Sequence, residues 1–310
     1  MILTVTLNPS IDISYNLSTF QLDNTNRVTE VRKTAGGKGL NVSRVANELG
    51  KDVVATGFLG GKLGEEITEQ LYATGIKSNF LVIQEKTRNC IAILHEGMQT
   101  EILEKGPTIS TDEANQFLKH FDALSEEANV ISMSGSLPNG LPDDYYTFLI
   151  ERANQKNKKI ILDSSGSSLM AVLQNKHRPS VIKPNINELS DILGYKLSED
   201  NDSLKSALST QIFDGIEWII VFLGANGAFA KHHSSYYRID IPNISVINPV
   251  GSGDSTVAGI AAALDNQLDD ISLLKQAMTC GMLNTMESIT GHIDLKNFNN
   301  LFNQVIVTKY

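Results

Sequence analysis

The sequence predicts an α/β fold: a mainly parallel sheet flanked by helices, with a small β-sheet projecting from it as a lid. Three features of the 310 residues predict this. Short apolar runs alternate with longer helix-like stretches, the order expected when a parallel sheet is covered on both faces. Residues 11–17 instead place apolar side chains at every second position (Ile11, Ile13, Tyr15, Leu17), the pattern of a sheet with one covered face. Two glycine-rich turns run directly into helical segments, where backbone amides are free to meet a ligand.

Along the chain, strands are expected at residues 2–7, 53–58, 130–133, 159–162, 181–182 and 218–222, each a short apolar run. Helices are expected at 41–49, 65–72, 112–124, 143–155, 186–193 and 204–207, and in the last third at 255–263, 271–287 and 295–307. Two regions break this rhythm. Residues 11–17 and 27–33 read as extended, and 88–94 with 100–103 read as a hairpin around Glu96-Gly97. These pieces are too few to form a domain alone. The expectation is therefore one domain, 1–310, with lid insertions at about 12–34 and 87–104. The apolar face of the lid must be covered; it closes over a substrate, pairs with a second copy, or both.

Composition excludes several classes. Hydrophobic residues make up 41% and charged residues 20%, as in an ordinary soluble globular protein. A formal net charge of −9 repels polyanionic backbones and argues against nucleic acid as a partner. It leaves room for a phosphate ligand, which needs only a few well-placed donors. Cys90 and Cys280 are too few for a disulfide framework and read as reduced thiols. No run approaches the ~18 apolar residues of a membrane span, so no membrane partner is expected. The apolar start lacks a basic leader and meets Asn8, Pro9 and Asp12 at once, so it reads as a buried strand, and the cytoplasm is the expected location.

Four motifs carry chemistry. Asn248-Pro249-Val250-Gly251-Ser252-Gly253-Asp254-Ser255 leads into a helix of small residues. Such a turn presents consecutive N–H groups at the positive end of a helix, a ready anion site. Asp254 could be a plain N-cap. Two flanking glycines point further, to a general base beside an anion hole made by Gly251, Ser252 and Gly253. Ala35-Gly36-Gly37-Lys38-Gly39-Leu40-Asn41 is a second glycine-rich turn into a helix, without the spacing of a P-loop. It reads as a tight turn or as close backbone approach to a polar ligand with Asn41 on its hydroxyls. Leu223-Gly224-Ala225-Asn226-Gly227, after the apolar run ending at Phe222, reads as a ligand-facing loop or a simple turn. Asn185 and Glu188, three residues apart, could hold Mg²⁺ through oxygen and water, or form a helix cap.

Taken together and in this order, these motifs resemble the phosphofructokinase B family of carbohydrate kinases, within the ribokinase superfamily. Residues 35–41 resemble its N-terminal signature, 248–255 its C-terminal signature and 185–188 its magnesium motif. The similarity runs the length of the chain, and residues 87–94 and 134–138 are similar to the tagatose-6-phosphate kinase branch. The resemblance implies a ribokinase-like fold and an ATP- and Mg²⁺-dependent kinase of a ketose phosphate. It implies Asp254 as catalytic base, and Asp12, Gly36, Gly37 and Asn41 around the sugar. Arg27, Lys38, Arg88 and Ser136 become candidates for the substrate's own phosphate, which a bidentate guanidinium suits best. Lys183, Asn185, Leu223, Gly224, Asn226 and Gly227 are implied at the nucleotide, with Asn284 near the purine. Phe222 departs from the Ser or Thr common at that position and removes a hydroxyl. The resemblance also implies a homodimer through the lid.

The expected reaction is phosphorylation of the 1-hydroxyl of D-tagatose 6-phosphate. Rivals are fructose 1-phosphate or fructose 6-phosphate as acceptor, a nucleoside kinase, and a non-catalytic sugar-phosphate sensor. The basic residues near the lid count against a nucleoside, which brings no phosphate to hold. A sensor would not need Asp254, Gly253 and the magnesium motif together.

Overall fold

The computed structural model describes all of residues 1–310. In chain order the strands are β1 (Ile2–Thr6), β2 (Ser10–Leu17), β3 (Val31–Gly36), β4 (Val53–Leu59), β5 (Lys77–Ser78), β6 (Leu81–Val82), β7 (Arg88–His95), β8 (Met98–Leu103), β9 (Val130–Ser134), β10 (Lys159–Asp163), β11 (Val181–Ile182), β12 (Trp218–Phe222), β13 (Ala228–His232), β14 (Ser235–Asp240) and β15 (Ile306–Lys309). The helices are α1 (Lys38–Glu48), α2 (Gly61–Ala73), α3 (Thr111–Ser125), α4 (Tyr145–Gln155), α5 (Gly166–Gln174), α6 (Ile186–Leu193), α7 (Asn201–Leu208), α8 (Ser252–Asp265), α9 (Asp270–Thr285) and α10 (Phe298–Gln304).

The large sheet runs β15-β14-β13-β12-β11-β10-β9-β1-β4-β5, with β6 also on β4. From β5 to β12 every pairing is parallel; β13, β14 and β15 add antiparallel at one edge. Side chains of a strand alternate between faces, and β1 feeds two cores accordingly. Ile2 joins the layer of α1, α8 and α9, while Leu3 and Val5 join that of α3, α4 and α5. Burial on both faces is why these strands read as unbroken apolar runs. The large mainly parallel sheet with flanking helices and a small separate sheet is the fold class expected. No helix is long and apolar enough to cross a membrane.

The small sheet has the order β3-β2-β7-β8, with β2 parallel to β7 and its other pairings antiparallel. Its alternation settles which face goes where. Ile11, Ile13 and Ala35 are buried in one cluster with Ile67 and Leu71 of α2. The opposite face, including Asp12, Ser14, Asn16 and Thr34, lines a cleft. The apolar stripe at 11–17 is thus covered near its start by this chain's own α2, and the alternation does not by itself require a second copy.

Several boundaries differ from expectation. The extended stretch expected at 27–33 is the strand Val31–Gly36, because the register on β2 ends at Tyr15↔Val31 and Arg27 lies beyond it, exposed. The helix expected at 295–307 ends at Gln304; β-branched Ile306 and Val307 instead pair with β14. Helix α5 and the β13–β14 hairpin were not expected. The hairpin's antiparallel edge breaks the strand–helix alternation on which the reading rests.

Candidate active site

The C-terminal ends of β1, β9, β10 and β12, the start of α8 and the polar face of the small sheet enclose a cleft of about 1060 Å³. This is where open parallel sheets place ligands. Asp254, Gly251, Ser252, Gly253, Asp12, Gly37, Lys38, Asn41, Arg88, Ser136, Lys183, Asn185 and Glu188 all line it.

Gly251 stands at the N-cap of α8, and its φ of 84° is a left-handed value. A side chain there would sit 2.6 Å from Thr290 Cγ2, so the turn demands glycine on two counts. The turn leaves the amides of Gly253 and Asp254 without an acceptor in the chain. Such amides at a helix start are anion donors. Asp254 does not cap its helix: α8 has no side-chain cap. Its carboxylate is 7% exposed, and Oδ2 accepts from Asn41 Nδ2 at 2.7 Å while Oδ1 has no partner. Burial, with the charge of Asp163 second, pushes this carboxyl up to about 6.

Asn41 cannot turn over. Its Oδ1 accepts from the guanidinium of Arg44, which also donates to the carbonyls of Ala35, Thr290 and Gly291. The amide nitrogen must therefore face Asp254. Arg44 lies one helical turn after Asn41 on α1, and the sequence reading missed it; the i, i+3 spacing is the signal that could have found it.

Asp163, also missed, ends β10 after three buried apolar residues. A carboxylate at the C-terminal end of a buried strand is itself a signal. It is 2% exposed and sits between Lys38 Nζ at 3.4 Å and Lys183 Nζ at 3.6 Å. Burial acts to raise its carboxyl, but the two ammonium groups outweigh burial and hold it below the usual carboxylate range. Asp163 in turn holds the Lys38 ammonium up against its own burial. Lys183 Nζ also stands 5.7 Å from the centroid of the Phe222 ring, a cation–π distance.

On the other wall, burial raises the Asp12 carboxyl, opposed by a hydrogen bond from Ser10 Oγ at 2.6 Å. A side chain at Gly36 would overlap the Asp12 carboxyl at 2.0 Å, so glycine leaves that carboxyl its place. Arg88 donates to the carbonyls of Glu104 and Asn8, and its buried Nε has no partner.

Asn185 and Glu188 form a reciprocal capping box at the start of α6. Asn185 Oδ1 accepts from the amides of Asn187 and Glu188, each at 2.9 Å, which uses both its lone pairs. Glu188 Oε2 accepts from the Asn185 amide at 2.9 Å and leaves Oε1 free. A hard divalent cation takes carboxylate and water oxygens. Glu188 fits that donor chemistry from the cleft wall, and Asn185 as a direct ligand does not.

The model of the pfkB family of carbohydrate kinases matches residues 5–295. The chain belongs to the pfkB family of carbohydrate kinases. A provisionally assigned phosphofructokinase from Staphylococcus aureus is 32% identical, with 100% of this chain and 99% of that one covered and a TM-score of 0.87. Phosphofructokinase-2 from Escherichia coli, solved with potassium, is 25% identical over 97% of this chain and 98% of its own, with a TM-score of 0.90. A provisionally assigned 1-phosphofructokinase from Thermotoga maritima, 24% identical over 100% and 99% with a TM-score of 0.89, shows the shared fold.

Of the expected positions in this pfkB-family kinase, Arg27, Gly36, Asn284 and the loop residues Leu223, Gly224, Asn226 and Gly227 lie outside the cleft lining. Arg27 is exposed in the loop before β3 and reaches no part of the cleft from within its own chain. Asn284 is fully buried: Oδ1 accepts from Ser255 Oγ and the Gly291 amide, and Nδ2 donates to the Val250 carbonyl. With every polar atom committed, it braces the 250 loop instead of facing a purine. The segment after Phe222 forms a short turn in which the Leu223 amide bonds to the Gly227 carbonyl at 2.9 Å, with Leu223 buried and Gly224 and Asn226 exposed. The Asn226 side chain donates to Glu199.

Proposed function

We propose that this pfkB-family kinase transfers the γ-phosphoryl group of ATP to the 1-hydroxyl of D-tagatose 6-phosphate, forming D-tagatose 1,6-bisphosphate and ADP. The observation that carries the chemistry is the buried Asp254 carboxylate, one oxygen pinned by Asn41 and the other open, beside two unpaired helix-start amides. In this reading the acceptor hydroxyl gives its proton to Asp254 Oδ1 as its oxygen bonds to the γ-phosphorus and the bond to the departing ADP oxygen breaks. The amides of Gly253 and Asp254, with Lys183, meet the charge on the migrating group. A divalent metal bound with the nucleotide would supply further neutralisation, and Glu188 would hold it through its free Oε1. Asp12 and Gly36 shape the sugar wall. Lys38, Arg88 and Ser136 take the acceptor's own phosphate.

The tagatose acceptor rests on the sequence likeness at residues 87–94 and 134–138. A fructose phosphate is the second reading. It is favoured by the phosphofructokinases among the similar structures, one of them solved with fructose-6-phosphate. The two ketose 6-phosphates differ at one stereocentre, which a few polar contacts decide. We further infer a homodimer through the small sheet. Val31, Met98 and Ile102, exposed by 51%, 58% and 54%, share one face of its outer strands and offer apolar area for a second copy.

The test compares kcat/KM for tagatose 6-phosphate, fructose 6-phosphate and fructose 1-phosphate with purified protein and MgATP. The highest value for tagatose 6-phosphate is expected. Preference for a fructose phosphate replaces the acceptor and keeps the kinase. Absence of ADP release with all three overturns the sugar-phosphate kinase reading.

A further inference from the structure

A second group of ionisable side chains stands at the opposite end of β12 from the cleft. Phe222 lines the cleft and Trp218 starts the strand; four residues of rise separate them by about 13 Å. Glu217 immediately precedes β12, His232 ends β13, and His233 follows in the turn to β14. One carboxylate oxygen and one ring nitrogen from each histidine lie within 4.8 Å of one another.

The His232–Glu217 pair has the spacing of two ligands around one ion. His232 Nε2 is 3.6 Å from Glu217 Oε1. Two ligand atoms at 2.0–2.1 Å from a tetrahedral Zn²⁺ stand about 3.4 Å apart. His232 is held in place from two sides. Its ring stacks on Trp218 with centroids 4.0 Å apart and planes 6° from parallel. Its Nδ1 donates to Asp270 Oδ2 at 2.8 Å, and that oxygen also accepts from Tyr237 at 2.7 Å. A carboxylate on Nδ1 selects the tautomer whose Nε2 lone pair is free, the arrangement that orients a metal-binding imidazole. Here Nε2 faces Glu217 Oε1, so a cation between them would take one ligand atom from each side.

His233 completes the set through its backbone. Consecutive residues of a strand point to opposite faces. The φ of His233 is 51°, a left-handed value, and its ring lies beside that of His232 with centroids 4.4 Å apart. Lys159 binds the other oxygen of Glu217, Oε2, at 2.6 Å and leaves Oε1 for the ion.

We propose that Glu217, His232 and His233 bind a borderline transition-metal cation, Zn²⁺ in the first instance, with Asp270 as a positioning residue on His232. Imidazole and carboxylate together suit zinc and its neighbours over magnesium, so this site is chemically separate from any metal that accompanies ATP. It ties the start of β12 and the β13–β14 turn to the first turn of α9, and bound zinc stabilises the folded chain by mass action.

The test uses tag-free, chelator-treated full-length protein titrated with Zn²⁺ by calorimetry at pH 7.5. One equivalent is expected, with a Tm that rises with zinc and a bound ion that millimolar Mg²⁺ does not displace. His232→Ala and His233→Ala each abolish or strongly weaken uptake, and Asp270→Asn weakens it about ten- to a hundredfold. His233 is exposed on a turn, so its variant reports even if His232→Ala folds poorly. A wild-type protein that takes up no zinc, as an ordinary Glu217–His232 ion pair requires, overturns the proposal. So does undiminished uptake by folded His233→Ala, or displacement of zinc by Mg²⁺.

Discussion

Asn41 Nδ2 donates to Asp254 Oδ2 at 2.7 Å, joining two residues 213 positions apart in the chain. Arg44 on the far side of the Asn41 amide forbids the flipped orientation. One carboxylate oxygen is thereby used and aimed, and the other is left for chemistry. The pair also links the two glycine-rich turns: α1 carries the donor and α8 the carboxylate.

Replacing Asn41 with Ala removes a hydrogen bond that holds the Asp254 carboxyl down. The acid limb of the kcat/KM–pH profile then moves to higher pH. Turnover falls about ten- to a hundredfold, the worth of a hydrogen bond to a charged group. A profile that keeps its limb shows that Asn41 does not act on Asp254.

Asp254→Asn preserves shape and removes the base. Turnover is expected to drop roughly 10²-fold or more, with ATP and sugar-phosphate affinity retained in equilibrium binding. Near-normal turnover assigns the proton to another group.

The wild-type profile itself is diagnostic. A carboxyl raised to about 6 is protonated, and useless as a base, at lower pH. kcat/KM therefore climbs through that region and levels above it. Burial is the main cause, and the charge of Asp163 is the next. Asp163→Asn removes that charge and leaves Lys38 and Lys183 beside Asp254, so the limb is expected to move to lower pH.

Gly251→Ala places a side chain 2.6 Å from Thr290 Cγ2 at a φ of 84°. The expected cost is about 1–3 kcal/mol, read as a lower denaturation midpoint. Activity falls with it, because the same turn aims the amides of Gly253 and Asp254.

Met98→Asp combined with Ile102→Asp charges the exposed face of β8. Light scattering after size exclusion is expected to report a monomer for the variant and a dimer for the parent chain. A parent chain that is already monomeric removes the lid-to-lid pairing.

The local sequence determined what local physics controls. Buried parallel strands such as 181–182 and 218–222 were legible at their observed bounds because burial on both faces demands an apolar run. The hairpin at Glu96-Gly97 was legible because its turn needs left-handed residues, and both have positive φ. The turn at 251–254 was legible through its glycines as a helix start with free amides. Tertiary structure decided what depends on residues meeting across the chain. Asp163 becomes a partner of Lys38 and Lys183 only when β10 and β11 lie side by side and Lys38, at the start of α1, reaches the end of β10. Asn284 looked like a ligand contact and is an internal brace, since burial and committed partners cannot be read from a lone Asn. The alternating stripe at 11–17 announced a covered face, but only the placement of α2 showed that this chain itself provides much of the cover. Spacing along a sequence fixes which face a side chain takes; what stands opposite that face is set by long-range packing, and there lies the difference between a motif and a site.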